Sequence, residues 1–388
     1  MFSFNPTEDV VLSYLPPSHV FERMMLYLYL YVGECIYYAE SVEALPQTLL
    51  DVRPHSMTTV PRMLEKAFEK AQHVVETLPW YKRSVFKWAI GLALQYDPEK
   101  KMPLGYRIRH ALASALVYKD LRHAFGGRVR YIISGGAALR PDLARIFCAA
   151  GITVLQGYGL TETSPVISVN RLGRNRIGSV GPPIPNVAVK IAWDGEILVD
   201  GPDVMKGYYK DDAATAATFS ESWFKTGDIG YLDKDGFLYV TDRKKDLLKT
   251  SGGKFIAPQE IESMLSKSIY VDKAIVIGDR RKFASALIFP DLESLKRFAS
   301  TTGIVYSSIS ELVAHPDVHA LYENIVEGVN KGLSHWETIK KFAVLEDELT
   351  IEEDFLTPTL KMKRRNVESR YKDLIEKFYE EKEEEGKK

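Results

Sequence analysis

Residues 129–133 (Val-Arg-Tyr-Ile-Ile) form a short apolar run, the pattern of a buried strand. The run passes into Ser134-Gly135-Gly136-Ala137-Ala138, after which Pro141 opens a helix, as proline does at a first helical position. Leu143, Ile146 and Phe147 recur at three- and four-residue spacing and give that helix one apolar face. Gly151 ends it. Residues 152–155 are the next apolar run, and they lead into Gln156 and a loop beginning at Gly157. Strand, helix and strand in this order predict a β-α-β unit with parallel strands. Both glycine-rich loops then leave the carboxyl ends of neighbouring strands, where open α/β sheets bind ligands.

The pattern changes near residue 180. Residues 187–191 alternate apolar and polar side chains, Asp194-Gly195 turns the chain, and Ile197 and Val199 resume, which predicts a hairpin. A second hairpin is expected about the turn at residues 233–236, between Gly230-Tyr231-Leu232 and residues 237–240. A third turn, Ser251-Gly252-Gly253-Lys254, separates Leu247-Leu248 from Phe255-Ile256. Pro258 opens a short helix carrying Ile261, Met264 and Leu265, and residues 274–277 and 286–289 read as a strand pair. The remainder reads as helical and ends in an acidic, solvated tail. From about Asp242 onward the pattern is that of a small α+β domain behind a larger α/β one.

Two apolar stretches need separate treatment. Residues 24–32 are apolar and tyrosine-rich but too short to span a bilayer. Residues 80–96 carry Trp80, Phe86, Trp88 and Leu92 among Lys82, Arg83 and Lys87. That is an amphipathic helix, expected to pack on its own protein, with a membrane surface as the alternative.

At 388 residues the chain exceeds one ordinary domain. Its 51 Lys+Arg against 52 Asp+Glu give no electrostatic case for a nucleic-acid partner. Cys35 and Cys148 each sit on an apolar stretch and read as lone buried thiols, not as a disulfide. The first residues show neither a basic nor an apolar leader segment, so a cytoplasmic location is expected.

The densest chemistry lies in Gly157-Tyr158-Gly159-Leu160-Thr161-Glu162-Thr163-Ser164-Pro165. The glycines let a backbone approach a flat ligand or a phosphate. Thr161 offers a hydroxyl to phosphate oxygens, and Glu162 offers a hard oxygen to Mg²⁺. A polar turn with glycine for geometry would use the same residues; the position at a strand end favours the ligand.

Tyr158-Gly159-Leu160-Thr161-Glu162-Thr163 resembles the signature of the adenylate-forming enzymes, and Thr226-Gly227-Asp228 is similar to their ribose-binding motif. Asp242-Arg243-Lys244-Lys245-Asp246-Leu247 with Lys249-Thr250-Ser251-Gly252-Gly253-Lys254 resembles the linker of long-chain acyl-CoA synthetases. Leu15-Pro16-Pro17-Ser18-His19-Val20-Phe21-Glu22-Arg23 and Thr357-Pro358-Thr359-Leu360-Lys361-Met362-Lys363 point to the same subgroup. The resemblance implies part of an adenylate-forming large domain over residues 1–241, with a β-α-β sheet and a β-hairpin subdomain. A hinge linker over 242–247 and a small mobile α+β domain over 248–388 would follow.

The resemblance also implies roles. Gly135, Gly136 and Ala137 would line the adenine of ATP or AMP, with Gln156, Gly157, Tyr158 and Gly159 opposite. Thr161 would bind phosphate and Glu162 would hold Mg²⁺. Asp228 and Arg243 would bind the ribose, and Lys245 would be the hinge. Lys361 would be the mobile catalytic lysine, and Ser251, Gly252 and Gly253 would help bind CoA. His19 is expected to be a local structural or channel-wall residue. The implied reaction is activation of a long-chain fatty acid to acyl-AMP and transfer to CoA. A fatty acyl-AMP ligase and a non-catalytic AMP- or acyl-binding module are the alternatives. The family's phosphate loop should precede Leu15, and 14 residues stand there. The expectation is therefore an incomplete large domain with part of its apolar surface exposed, little or no acyl-CoA synthesis by the isolated chain, and another polypeptide as one source of the missing part.

Overall fold

The computed structural model describes residues 8–347, 349–350, 353–356 and 362–380. The chain divides into two compact units, Met1–Val240 and Thr241–Lys388.

The first unit is built on a six-stranded sheet of order β2-β1-β3-β4-β5-β6. Its strands are β1 (Val10–Ser13), β2 (Cys35–Tyr38), β3 (Ser56–Thr59), β4 (Tyr131–Ser134), β5 (Thr153–Gly159) and β6 (Val166–Val169). β1 to β5 run parallel, and β6 pairs antiparallel with β5. The β-α-β reading holds: α7 (Pro141–Ala149) joins β4 to β5 and buries Leu143, Ile146 and Phe147. Gly151, at φ 91°, takes the left-handed turn that lets its own N–H and that of Ile152 close on Cys148 and Phe147.

Period-two alternation splits the core between the two faces of this sheet. Leu12, Met57, Ile132 and Val154 pack with α2 (Leu45–Val52), α3 (Pro61–Glu76) and α7 on one face. Val11, Tyr131, Ile133 and Leu155 pack against Met25 and Tyr29 of α1 (Val20–Val32) on the other. Outside α7 lie α4 (Trp80–Ala93), α5 (Leu104–Ala113), a π turn over Ser114–Tyr118, and α6 (Lys119–Ala124). The shared core of this layer includes Ala89, Leu92, Tyr106, Ala113, Tyr118 and Ile146.

A second sheet of order β11-β10-β8-β7 follows, from β7 (Ala188–Ile191), β8 (Glu196–Asp200), β10 (Trp223–Leu232) and β11 (Leu238–Arg243), with β9 (Phe219–Ser220) beside β10 and α8 (Asp212–Thr218) before it. The first hairpin, β7–β8, is antiparallel as its alternation predicts.

The second unit holds the short pair β12 (Leu248–Lys249) and β13 (Phe255–Ile256), then α9 (Pro258–Leu265), and a sheet of order β14-β15-β16. β14 (Val271–Ile277) and β15 (Ala284–Pro290) are antiparallel. Ala274, Val276 and Ala286 face α9, α10 (Leu292–Thr302), α11 (Ile309–Val313) and α12 (Pro316–Asn330). Ile275, Ile277 and Phe289 face α13 (Arg364–Arg370) and α14 (Lys372–Glu380).

Three expectations are corrected. β16 (Ile339–Val344) lies in a region read as helical and pairs parallel with β15. Its neighbouring Lys340 and Lys341 hide any two-residue alternation, and only pairing with β15 makes it a strand. Cys35 is exposed, not buried, because β2 is the sheet edge; Cys148 is buried as expected. β5 does not stop at Gln156 but runs through Gly159, so no loop begins at Gly157. There it exchanges a parallel partner, β4, for an antiparallel one, β6, with Gly157 opposite Val169 and Tyr158 opposite Ser168. Lys361, its Thr357-Pro358-Thr359 context and the acidic tail beyond Glu380 lie outside the described residues.

Candidate functional site

The carboxyl ends of β1, β3, β4 and β5 gather the polar groups of the first unit. Ser13 and Thr58 donate their hydroxyls to the carboxylate of Glu22, which is fully buried in the first turn of α1. Burial raises the Glu22 pKa. This clip fixes the start of α1 above the sheet, and His19 Nδ1 caps the helix by accepting from Phe21 N–H at 3.3 Å. Tyr14 Oη and Thr59 Oγ1 are 2.7 Å apart beside it, and burial pushes the Tyr14 hydroxyl up to about 12.

Phe21 then meets the glycine strip. A Cβ on Gly135 would stand 3.3 Å from the Phe21 ring, and Gly136 holds φ +81°. Gly135 N–H donates to Thr59 O at 3.2 Å. Gly136 and Ala137 are exposed, so residues 135–137 present backbone with no bulk above it. Gln156 sits opposite Ser134 in the β4–β5 register, one residue before the glycine strip in chain order.

Two motifs 70 residues apart meet at Tyr158, whose hydroxyl donates to Asp228 Oδ2 at 2.6 Å. Asp228 is 4% exposed and belongs to β10, in which Thr226-Gly227-Asp228 forms an irregularity between Lys225 and Ile229. Gly227 makes that irregularity possible at φ +71°, and its N–H donates to Glu196 Oε1 at 3.0 Å. Thr226 Oγ1 donates to Ile197 O at 2.8 Å and accepts from Asp228 N–H at 3.1 Å. Tyr158 thus holds the Asp228 carboxylate, while Thr226 holds its backbone.

The turn after β5 is a single 3₁₀ turn, Thr161–Thr163. Thr163 Oγ1 is buried and ties Leu160 N–H to Pro165 O. Thr161 faces outward, and the Glu162 carboxylate is half-exposed. Tyr208 Oη donates to Glu162 Oε1 at 2.9 Å, and Met205 N–H donates to Glu162 O at 2.8 Å. Burial, then the neighbouring Glu162 charge, raises the Tyr208 pKa. Among the described residues no three His, Cys, Asp or Glu side chains form a metal cage. A single half-exposed carboxylate beside an exposed hydroxyl fits Mg²⁺, which binds through one or two carboxylates and the oxygens of a phosphate substrate.

Arg243, Lys245, Ser251, Gly252 and Gly253 all belong to the second unit and are exposed. Arg243 N–H donates to Asp242 Oδ1 at 2.6 Å, and Arg243 O accepts from Asp246 and Leu247. Asp242 is 2% exposed, and burial raises its carboxyl to about 6. The 251–253 turn closes through Gly253 N–H to Thr250 O at 2.9 Å. The segments on either side of Lys361 are anchored: Leu356 bridges Met362, and Lys363 pairs with Asp354. Arg364 pairs with Glu262 Oε1 and donates to Val276 O at 2.8 Å. Burial raises Glu262 to about 7 against the opposing pull of Arg364.

Of these groups, Tyr208, Glu196 and the Arg364–Glu262 pair escape the sequence reading, and Phe21 enters it only as part of its motif. Tyr208 follows a glycine just before the Asp211 cap of α8, which marks a loop but not its partner.

Similarity to known proteins gives the family. Residues 1–209 match the AMP-binding enzyme family and residues 245–383 match the AMP-binding enzyme C-terminal domain. The chain belongs to the AMP-binding enzyme family, and its mixed α/β architecture is that of the adenylate-forming enzymes. It is 35% identical over 376 residues to long-chain-fatty-acid–CoA ligase FadD15 of Mycobacterium tuberculosis, covering 95% of this chain and 62% of that one. It is 32% identical to the peroxisomal long chain acyl-CoA synthetase 7 of Arabidopsis thaliana, covering 96% of this chain and 55% of the relative. The fold also matches the O-succinylbenzoate coenzyme A synthetase of Bacillus subtilis in complex with AMP, with a TM-score of 0.60 at 24% identity, covering 92% of this chain and 60% of that one. The chain thus spans 55 to 62% of the length of these two curated relatives. Among the described residues no helix is long and apolar enough to cross a membrane.

Proposed function

We propose that this chain carries the adenylate-binding part of a long-chain fatty acid–CoA ligase. The observation that carries the reading is the Tyr158–Asp228 hydrogen bond, 2.6 Å, which joins the two motifs beside the glycine strip. The relatives' names supply the substrate class.

In this reading a carboxylate oxygen of the fatty acid attacks the α-phosphorus of ATP, and pyrophosphate leaves. The sulfur of CoA then attacks the acyl carbonyl carbon, and AMP leaves. Gly135, Gly136 and Ala137 lie along one face of the adenine, and Gln156, Gly157, Tyr158 and Gly159 along the other. Asp228 and Arg243 each bind a ribose hydroxyl. Thr161 donates to phosphate, and Glu162 holds Mg²⁺, which when bound screens the charge of the meeting anions. Lys361 brings a further cation to the adenylation step. Lys245 is the hinge, and Ser251, Gly252 and Gly253 bind CoA. A phosphate clamp from the remaining length of the relatives completes the ATP site. The same reading places the protein in the cytoplasm in peripheral contact with a membrane.

Calorimetric titration with AMP tests the site, and formation of palmitoyl-CoA from palmitate, ATP and CoA by a protein of the relatives' full span tests the reaction. Absence of AMP binding overturns the reading. Lys361→Ala in that protein is expected to cripple adenylation and to spare thioester formation from supplied palmitoyl-adenylate. Equal loss of both steps would remove Lys361 from catalysis.

A further inference from the structure

The outer helices of the first unit bear a surface that the nucleotide site does not use. α4, α5 and the π turn bury Ala89, Leu92, Tyr106, Ala113 and Tyr118 against α7. His110 also faces that side, within 2.7 Å of Ala149 O. The opposite side of α5 and the π turn carries Leu104, Ile108, Leu112 and Leu116, exposed by 70, 64, 53 and 49%. Their four-residue spacing puts them on one helical face, a stripe of about 18 Å at the α-helical rise. On α4, which packs against α5, Trp80 is 72% exposed and Tyr81 and Trp88 are exposed beside it.

The charges on these helices are of one sign. Residues 80–95 and 103–118 hold Lys82, Arg83, Lys87, Arg107 and Arg109 and no aspartate or glutamate, in a chain whose net charge is −1. All five cations are exposed. Among the described residues no carboxylate pairs with any of them. Exposed leucine, isoleucine, tryptophan and tyrosine side chains gathered on two packed helices mark a surface that something covers. Aromatic side chains with leucine between flanking lysine and arginine match the headgroup layer of a bilayer, where rings sit at the boundary and basic groups meet anionic lipid.

We propose that the face formed by α4, α5 and the π turn docks on the surface of an anionic lipid bilayer. The docking is peripheral: the stripe enters the boundary of the acyl layer, and Lys82, Arg83, Lys87, Arg107 and Arg109 contact lipid phosphates. Lipid is favoured over a protein partner because five exposed cations on these helices, none with a carboxylate partner among the described residues, are met by a continuous anionic surface without a matching set of carboxylates. The inference deepens the membrane contact of the proposed function. It draws on residues outside the nucleotide site, so the two fail separately.

The test is co-sedimentation with phosphatidylcholine vesicles and with mixed phosphatidylcholine–phosphatidylglycerol vesicles. The chain is expected to bind the mixed vesicles, to bind pure phosphatidylcholine weakly, and to release as salt is raised. Arg107→Glu with Arg109→Glu should weaken binding about tenfold or more. Ile108→Ser with Leu112→Ser should weaken it comparably at low salt, with an unchanged thermal transition showing that the fold is intact. A blue shift of tryptophan emission on vesicle addition should disappear in Trp80→Phe with Trp88→Phe. Absent vesicle binding, or binding untouched by both the charge and the stripe variants, overturns the proposal. Self-association without lipid that the stripe variant abolishes also overturns it and assigns the face to a second copy. Vesicle binding by a chain that binds no AMP leaves this inference standing and removes the nucleotide reading.

Discussion

Tyr208 donates its hydroxyl to Glu162 Oε1 at 2.9 Å, and Met205 of the same loop holds the Glu162 carbonyl at 2.8 Å. One carboxylate oxygen is thereby fixed and the side chain cannot swing freely, while the exposed Thr161 hydroxyl stands beside it. A cation ligand oriented by such a partner loses affinity by about ten- to a hundredfold when the partner is removed. In a protein of the relatives' full span, Tyr208→Phe is expected to raise the Mg²⁺ concentration needed for triphosphate binding by about tenfold, with AMP binding in the absence of metal unchanged. Binding of Mn²⁺ followed by electron paramagnetic resonance reads this directly. In a Glu162→Gln background the Tyr208→Phe change should have no further effect; an additive loss would mean that Tyr208 acts elsewhere.

Asp228 is buried, and its carboxylate accepts a hydrogen bond from the Tyr158 hydroxyl. A charged acceptor lost from a ribose hydroxyl costs about 2 kcal/mol, roughly thirtyfold in Kd. Asp228→Ala should weaken AMP binding by that order. It should also abolish the preference for AMP over 2′-deoxyadenosine monophosphate. A variant that binds both nucleotides weakly but keeps the preference would show that Asp228 only supports the fold.

The legible parts of this fold were the local ones. β4, α7 and β5 could be read because two apolar runs are punctuated by Pro141 and Gly151, whose effects reach only neighbouring residues. The first hairpin was legible for the same reason, since Asp194-Gly195 forces a turn whatever surrounds it. The extension of β5 through Gly159 was not, because it exists only where β6 supplies new partners. Nor was β16, whose strand state comes from β15, 55 residues earlier in the chain at the Ala284–Ile339 pair. Cys35 misled because an apolar stretch does not say whether its strand lies inside a sheet or at its edge. The candidate site shows the same division. Its glycine strip and its Tyr158 and Asp228 motifs were visible one by one, while Tyr208 became visible only through its bond to Glu162, 46 residues away.

Asp242 gives the second unit a defined pH response. Burial raises its carboxyl from 3.8 to about 6. Between those values the folded chain keeps a proton that the unfolded chain has released. Its contribution is therefore present at low pH and is lost as pH rises from about 4 to about 6. The loss amounts to up to about 3 kcal/mol at neutral pH. Asp242→Asn keeps an acceptor for Arg243 N–H and removes the titration. Urea unfolding across this range should show the variant gaining on the wild type as pH rises, with a remaining slope toward pH 7 from Glu262, which titrates at about 7 in the fold. Parallel profiles for the two proteins would mean that Asp242 is solvated in solution.

Gly159 is the point at which β5 can accept no side chain. A Cβ built there would lie 1.6 Å from Pro165 O and 2.6 Å from Pro165 C, both backbone atoms that cannot rotate aside. At Gly157, two residues earlier on the same strand, the nearest atoms are 3.5 Å away, an ordinary contact. The two glycines share one strand and one partner, β6, so they separate close approach from strand propensity. Gly157→Ala should change stability by no more than about 1 kcal/mol. Gly159→Ala must push β6 and the Thr161–Thr163 turn away from β5, at a cost above about 4 kcal/mol, in the range of severe backbone conflict. The displaced turn carries Thr161 and Glu162, so any folded Gly159→Ala protein should also lose Mg²⁺-dependent triphosphate binding while keeping the Tyr158–Asp228 side of the site. Thermal denaturation of both variants beside the wild type decides the matter. Equal transitions for Gly157→Ala and Gly159→Ala would show that β5 and β6 do not pair through Gly159 and Val166.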